Sequence, residues 1–205
     1  MNVLIACESS GHVREAFRAR GHNAWSCDLL PADDSSPYHY QMDALDAAMI
    51  GWDLVIAHPP CTYLCSSGLH WNKRVPGRAE KTEQALEFVR KLMALDVPRL
   101  AIENPVGCIG TRIRKADQYI QPYEFGHDAS KNTGLWLKGL PPLLPTSFIM
   151  PRIVDGKPRW GNQTDSGQNR LAPSADRWKK RSQTYAGIAE AMADQWGGAA
   201  NREAA

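Results

Sequence analysis

Two consecutive prolines arrest an apolar run near the middle of this chain, and that arrest limits the folds open to it. Leu54-Val55-Ile56-Ala57 is the short unbroken hydrophobic stretch of a buried strand. Pro59 and Pro60 cannot donate to a sheet ladder, and each fixes its own backbone turn, so the strand ends before them. Cys61 then stands on a stiff loop at the C-terminal mouth of a strand, where open α/β sheets put their ligands. A thiol on rigid backbone at such a place is a candidate nucleophile. The competing reading is one more buried small hydrophobe, which free cysteines usually are.

The chain before this stretch alternates strand and helix. Val3 to Cys7 reads as a first strand, ended by the turn Glu8-Ser9-Ser10-Gly11. Val13, Ala16 and Phe17 then fall at helical spacing among Arg14, Glu15, Arg18 and Arg20, and Gly21 closes that helix. Asn23 to Cys27 is a second strand, ended by Asp28. A strand, a small-residue turn, a helix and a strand ending in an acid is the layout that binds an adenosine-containing cofactor. With a single glycine in the turn, an ordinary βαβ unit with a surface acid is the alternative. Residues 31–42 form a loop, and Asp43 leads a short helical patch from Ala44 to Ile50.

After Gly68, Leu69 to Gly77 carries His70, Trp71, Asn72, Lys73 and Arg74 without periodicity, which predicts a basic, aromatic loop beside Cys61. Arg78 to Leu95 is the clearest helix, with Ala85, Leu86, Val89, Leu92 and Met93 as its apolar stripe. Arg99 to Ile102 is a further strand, ending in Glu103-Asn104-Pro105. A carboxylate there, one crossover from Cys61, either faces the same pocket or caps a helix expected near Thr111 to Ala116. Tyr119 to Phe125 and Leu135 to Leu137 read as strands around the polar loop 126–133.

Pro141, Pro142 and Pro145 mark a change of composition, and residues 151–181 read as loop. Eight basic side chains there oppose three acidic ones, an excess larger than the +2 of all 205 residues. With Trp160 and Trp178 interleaved, the segment suits phosphate neutralisation and base stacking, or is simply a solvated basic flank. Candidate nucleic-acid contacts are Lys73, Arg74, Arg159, Arg170, Lys179 and Lys180, to which the family resemblance set out below adds Ser67 and Lys131. Gln183 to Trp196 is a last helix with Ile188, Ala189 and Met192 inward, followed by a frayed tail. The expected division is a catalytic and cofactor-binding α/β domain at 1–141, a short recognition segment at 142–181, and a C-terminal helix with its tail at 182–205.

Five cysteines at irregular spacing argue against a disulfide framework and for a reducing cytosol. Cys61 and Cys65 lack the further Cys/His pair of a zinc site, so no metal is expected. No apolar run reaches the length of a membrane span, and the N-terminus lacks the basic start of a signal peptide. A cytoplasmic monomer is the working expectation.

Taken in order, these motifs resemble the DNA cytosine-5 methyltransferase family in compact form. Pro59-Pro60-Cys61 with Ser66, Ser67 and Gly68 resembles the family's Pro-Pro-Cys loop. Glu103-Asn104 at a strand end resembles its Glu-Asn-Val motif, and Glu8-Ser9-Ser10-Gly11 takes the place of its cofactor turn. The match covers most of residues 3–139 and, more faintly, 182–196. The resemblance implies a Rossmann-like class I methyltransferase fold, mostly parallel with helices on both faces. It implies Cys61 as nucleophile on the loop of Pro60, and Glu103 beside Asn104 as partner of cytosine N3. Glu8, Ser9, Ser10, Gly11, Asp28, Asp43 and Pro59 would face S-adenosyl-L-methionine, with DNA as the substrate.

This sequence also departs from the pattern. The cofactor turn lacks the family's aromatic residue and second glycine. The arginines expected near Gln121 to Phe125 are absent, with Lys131 the candidate to replace them. The recognition region shrinks to roughly Pro142 to Arg181, which suits low specificity and a phage or mobile-element setting. Those departures keep two alternatives open: a cysteine-dependent pyrimidine enzyme acting on a nucleotide or RNA, or using another one-carbon donor, and a non-catalytic nucleic-acid-binding relative.

Overall fold

The computed structural model describes residues 1–174 and 176–198; the tail from residue 199 and the Trp178 side chain lie outside what it describes. A seven-stranded sheet is its centre: β1 (Asn2–Ala6), β2 (Asn23–Asp28), β3 (His39–Gln41), β4 (Leu54–Ala57), β5 (Arg99–Pro105), β6 (Gln118–Ile120) and β7 (Thr133–Lys138). Their order across the sheet is β3-β2-β1-β4-β5-β7-β6. The first five run parallel, and β7 lies antiparallel between β5 and β6.

Both faces of the sheet are buried, which is why its central strands read as unbroken apolar runs. Successive side chains alternate between the faces. Leu4, Val55, Ala57 and Ile102 pack under α2 (Ala44–Ala48) and α4 (Arg78–Met93), joined there by Leu86 and Val89. Val3, Ile5, Leu54, Ile56 and Ala101 pack under α1 (His12–Arg18) and α7 (Ala186–Gly197), with Phe17, Met192 and Trp196. Each of those large side chains is fully buried, and contributes roughly 2 kcal/mol by leaving water. Trp196 donates its indole N–H to the Pro141 carbonyl at 3.0 Å, so the last helix is bolted to the chain just after β7.

Several local expectations change. The segment 151–181 is not all loop. It contains a hairpin of β8 (Arg152–Val154) and β9 (Lys157–Arg159), and the short helix α6 (Arg177–Ser182). Asp155 and Gly156 both take positive φ at its tip, the Asp-Gly signal of a two-residue turn. Residues 69–77 are likewise ordered, with α3 (Ser66–Leu69) followed by a tight 3₁₀ turn over His70–Lys73. The Asn72 amide, donating to Thr82, ties that turn to α4. The strand at Tyr119 stops at Ile120, where Pro122 opens a 3₁₀ turn, and the helix expected near Thr111 to Ala116 is α5 (Ile109–Arg112).

Arg14, expected on the polar face of its helix, is completely buried. Its guanidinium donates to Ser26 at 2.7 Å and Glu15 at 2.9 Å, and also pairs with Asp34. A buried cation is tolerated when its donors are matched in this way. Ser26 also meets His39 at 2.8 Å. This network latches the 29–38 loop against the β1–β2 edge, helped by the Asp33 N–H donating to the Ser9 carbonyl at 2.9 Å.

Candidate active site

The candidate residues gather along the C-terminal edge of the sheet in two neighbouring clusters. The first surrounds the turn after β1. Cys7 takes a left-handed backbone, φ 59°, and Gly11 follows with φ 74°. A side chain on Gly11 would stand 2.3 Å from the Arg14 guanidinium. Glu8 is buried, and its carboxylate accepts the Val13 and Arg14 N–H groups at 2.8 and 3.3 Å. It therefore caps the start of α1 from within the turn. Ser10 donates to the same carboxylate at 3.3 Å.

Asp28 ends β2 and Asp43 follows β3, one strand further out. Each uses one oxygen locally, Asp28 for the Leu30 N–H at 2.9 Å and Asp43 for the Leu45 N–H at 2.8 Å. Leu29, beside Asp28, is 71% exposed, unusual for a large apolar side chain next to an acid. The free oxygen of Asp28, the exposed Leu29 beside it and the lack of a basic group among the residues assigned to the cofactor are compatible with S-adenosylmethionine, which carries net positive charge. Glu8, by contrast, already occupies the helix start, so α1 offers little to the cofactor's carboxylate.

The second cluster is set by the pairing of β4 with β5. Ala57 faces Ile102 in their register, so His58 and Glu103 are the next residues along. The His58 imidazole Nδ1–H donates to Glu103 Oε2 at 2.7 Å, with both side chains over nine-tenths buried. Glu103 lies within β5 rather than beyond its end, because β5 continues along β7 as far as Pro105. Burial pushes the Glu103 carboxyl up, but the Lys131 charge and the hydrogen bond and charge of His58 outweigh it, holding the pKa at about 2. Glu103, Lys131, Thr133, Thr184 and Tyr185 share the lining of a cavity of about 10 Å³, room for one water at most.

Asn104 donates to the Pro59 carbonyl at 2.7 Å and so holds the Pro-Pro turn. Pro60 leads into a 3₁₀ turn that begins at Cys61. The loop is stitched on its far side to residues 106–108: Ser66 N–H donates to Val106 O at 3.0 Å, and Cys108 N–H to Leu64 O at 2.8 Å. Gly107 is required there, since a side chain on it would lie 1.9 Å from the Leu64 carbonyl oxygen. Cys61 is half-buried, and both Lys131 and Glu103 act on its thiol. The hydrogen bond with Cys65 and then burial push that thiol well above its ordinary range, while Cys65 is pushed down.

His58, Cys65 and Arg181, whose charge also reaches Cys65, were not among the sequence candidates. The parallel register of two strands makes the first contact, and one turn of chain makes the second. Ser67 faces the same sulfur, its hydroxyl 3.2 Å from Cys65 Sγ. The basic candidates are dispersed. Lys179 pairs with Asp33 and Lys180 with Asp176, both at 2.8 Å. Arg159 donates to the Asp165 and Pro158 carbonyls at 2.8 and 2.9 Å. Arg74 lies over the Trp71 ring, while Lys73 and Arg170 are exposed. Among the described residues, no group of three or more His, Cys, Asp or Glu could hold a metal ion, and no helix is long and apolar enough to cross a membrane.

The strand order and the reversed β7 define a Rossmann-like methyltransferase fold. A solved structure from E. coli shares it: a prophage-encoded protein provisionally assigned as a DNA modification methyltransferase. The two superpose with a TM-score of 0.50 at 16% identity over 76% of this chain, which spans 56% of that protein's length. An E. coli rRNA methylase matches less well, with a TM-score of 0.40 at 15% identity over 67% of this chain and 56% of its own. No protein-family model and no curated protein sequence matches the chain.

Proposed function

We propose that this protein methylates carbon 5 of cytosine in DNA through a covalent bond to Cys61, with S-adenosylmethionine as donor. The observation that carries this reading is the shared mouth of β4 and β5. The Pro-Pro-Cys loop, the buried His58–Glu103 pair and the Lys131 charge meet there over one strand crossover. The assignment of the E. coli prophage protein as a DNA-modifying methyltransferase agrees with it.

Carbon 5 of cytosine is a poor nucleophile, and adding a thiolate at carbon 6 makes it enamine-like. Cys61 Sγ would form that bond, pushing electrons towards N3. Glu103, fixed by His58, would face the N3 and amino edge. A carboxylate cannot donate to N3, so Glu103 would take up a proton from solvent as the base enters and pass it towards N3 as charge develops there. Substrate that draws Lys131 away from the carboxylate leaves burial to push Glu103 upward, towards that protonated form. Once carbon 5 carries the methyl group, a solvent base would take its proton. The electron pair would re-form the carbon 5–carbon 6 double bond as the carbon 6–sulfur bond breaks, and Cys61 would leave as a thiolate while the N3 proton returns to Glu103. Asp28 and Asp43 would hold the donor's adenosine, and the donor, when bound, supplies a methyl group on a positive sulfur. A base in duplex DNA must first leave the stack, at a cost of a few kcal/mol.

Trapping on DNA containing 5-fluorocytosine tests the reading, because fluorine cannot leave carbon 5 as a proton does. A donor-dependent adduct at Cys61, absent in Cys61→Ala, is the expected result; DNA binding without an adduct would overturn it. A second reading, a free nucleotide or RNA as substrate, draws on the pairing of Lys179 and Lys180 with acids, which leaves less charge for a duplex backbone. Assaying duplex DNA, RNA and dCMP side by side separates the two.

A further inference from the structure

A cleft of about 170 Å³ opens beside the Cys61 loop, lined by Tyr63, Val75, Pro76, Arg78 and Lys81. It is far roomier than the cavity next to Glu103 and shares no lining residue with it. Its walls are fixed. The Tyr63 carbonyl accepts from the Thr82 hydroxyl at 3.1 Å, and Asn72 donates to the same hydroxyl oxygen at 2.9 Å. The Val75 N–H donates to Trp71 O at 2.9 Å and the Arg78 N–H to Val75 O at 3.2 Å, closing the turn onto α4. Two cations share the Tyr63 ring: the Arg78 guanidinium lies 4.8 Å from its centre and Lys81 Nζ 5.8 Å. An aromatic face holds a cation without neutralising it. Arg78 also donates to Thr62 O at 3.0 Å, one residue from Cys61. Among the described residues that is the one acceptor its side chain finds, although a guanidinium carries five N–H groups, and its Nε is buried without a partner. Neither cation pairs with a carboxylate among those residues; Glu83, further along α4, is taken by Arg112 at 3.0 Å.

We propose that this cleft is a phosphate subsite, in which Arg78 and Lys81 seat the phosphate next to the nucleotide whose base meets Cys61. Two cations over one ring, neither neutralised by the protein, call for an anion with several acceptor oxygens, and the guanidinium fork matches those of a phosphate. Val75 and Pro76 give the cleft an apolar wall for the sugar that follows. The bond from Arg78 to Thr62 sets the subsite one residue from the proposed nucleophile, and a phosphate stands one sugar away from its base. Lys73 and Arg74, exposed on the preceding turn, extend the same charge outward. A DNA strand and a free nucleotide both carry this group. That the phosphate flanks the target base rests on the cytosine reading above; that the cleft takes a phosphate does not.

Binding and trapping test the two parts separately. Lys81→Met is the decisive variant, because Lys81 is exposed and holds no backbone carbonyl, and Arg78→Met accompanies it. Anisotropy of a labelled DNA duplex, followed against salt, reads phosphate neutralisation. One lost contact should lower the log–log salt slope by about 0.9, so between about 50 and 200 mM salt the Lys81→Met complex weakens about 3.5-fold less than the wild type's. Replacing the phosphates beside a 5-fluorocytosine by methylphosphonate, one at a time, locates the contact: one position should weaken wild-type binding and do nothing further in Lys81→Met. In parallel, 5-fluoro-dCMP and 5-fluorodeoxycytidine are compared by the concentration that half-saturates adduct formation. A preference for the phosphorylated form, lost in Lys81→Met while duplex binding keeps its wild-type slope, would assign the subsite to a free nucleotide and sink DNA as the substrate. Variants that match the wild type in salt slope, methylphosphonate response and nucleotide preference would overturn the proposal, as would a lowered urea midpoint as their sole change. A phosphate contact behaving as expected without an adduct on any substrate would leave the subsite intact and sink the cytosine reading.

Discussion

The two halves of the sheet's C-terminal edge are built on different principles. On the β1–β3 side, each acid is tied to a backbone N–H a few residues away: Glu8 to Val13, Asp28 to Leu30, Asp43 to Leu45. On the β4–β5 side the polar groups answer one another across long stretches of sequence, His58 with Glu103 and Asn104 with Pro59. In the first half these acids serve local turns, and Asp28 and Asp43 each keep an oxygen to spare, while Arg14 reaches across elements to Ser26 and Asp34. The second is a set of buried partners in which the charge of Lys131 and the hydrogen bond of His58 oppose the effect of burial on Glu103.

The sharpest break between the halves should come at Cys61. Cys61→Ala is expected to abolish adduct and product, a loss of at least 1000-fold, while donor binding measured by calorimetry changes little. Gly107→Ala comes next. Its methyl group would overlap the Leu64 carbonyl oxygen and stand 2.7 Å from the Cys65 Cα, so the Cys61 loop must shift. A destabilisation of about 2 kcal/mol in urea unfolding, with slower trapping, is the expected outcome.

Glu103 probes the coupling of the second half. Its folded pKa, about 2, lies below its ordinary 4.5. Its contribution is therefore complete above the unfolded value and lost as pH falls through the folded one. Between pH 4.5 and 2 the wild type should lose on the order of 3 kcal/mol from this group, and Glu103→Gln should remove that part of the slope. Lys131→Met should shift the acid transition of Glu103 upward, because burial then meets less opposition; carboxyl NMR would read it directly. On the other half, Asp28→Asn should weaken donor binding only about tenfold, with the acid transition of Glu103 unmoved.

Legibility followed the distance in sequence between partners. The central strands, the α4 stripe and the proline arrest announce themselves through period and punctuation, which are local properties. So does the Pro-Pro-Cys loop. The His58–Glu103 contact depends on β4 and β5 lying side by side in one register, across 45 residues of chain, and nothing near either residue signals it. Arg14 misled for the same reason. A cation amid apolar spacing reads as surface, and only Ser26 and Asp34, brought from other elements, permit its burial. The hairpin at Asp155-Gly156 was legible in its turn residues, but three-residue strands rich in Arg, Lys and Pro hid it.

The buried Glu8 carboxylate bears on discrimination among nucleotides. In nucleotide-binding folds of this layout, phosphates seat on the free N–H groups at the start of the first helix. Here a fixed negative charge already holds those of Val13 and Arg14. Any dinucleotide or triphosphate entering the cleft would set its own anion against Glu8 and find those two donors occupied. Were a nucleoside to bind at this turn, a tail without phosphate would meet less repulsion there than a phosphorylated one.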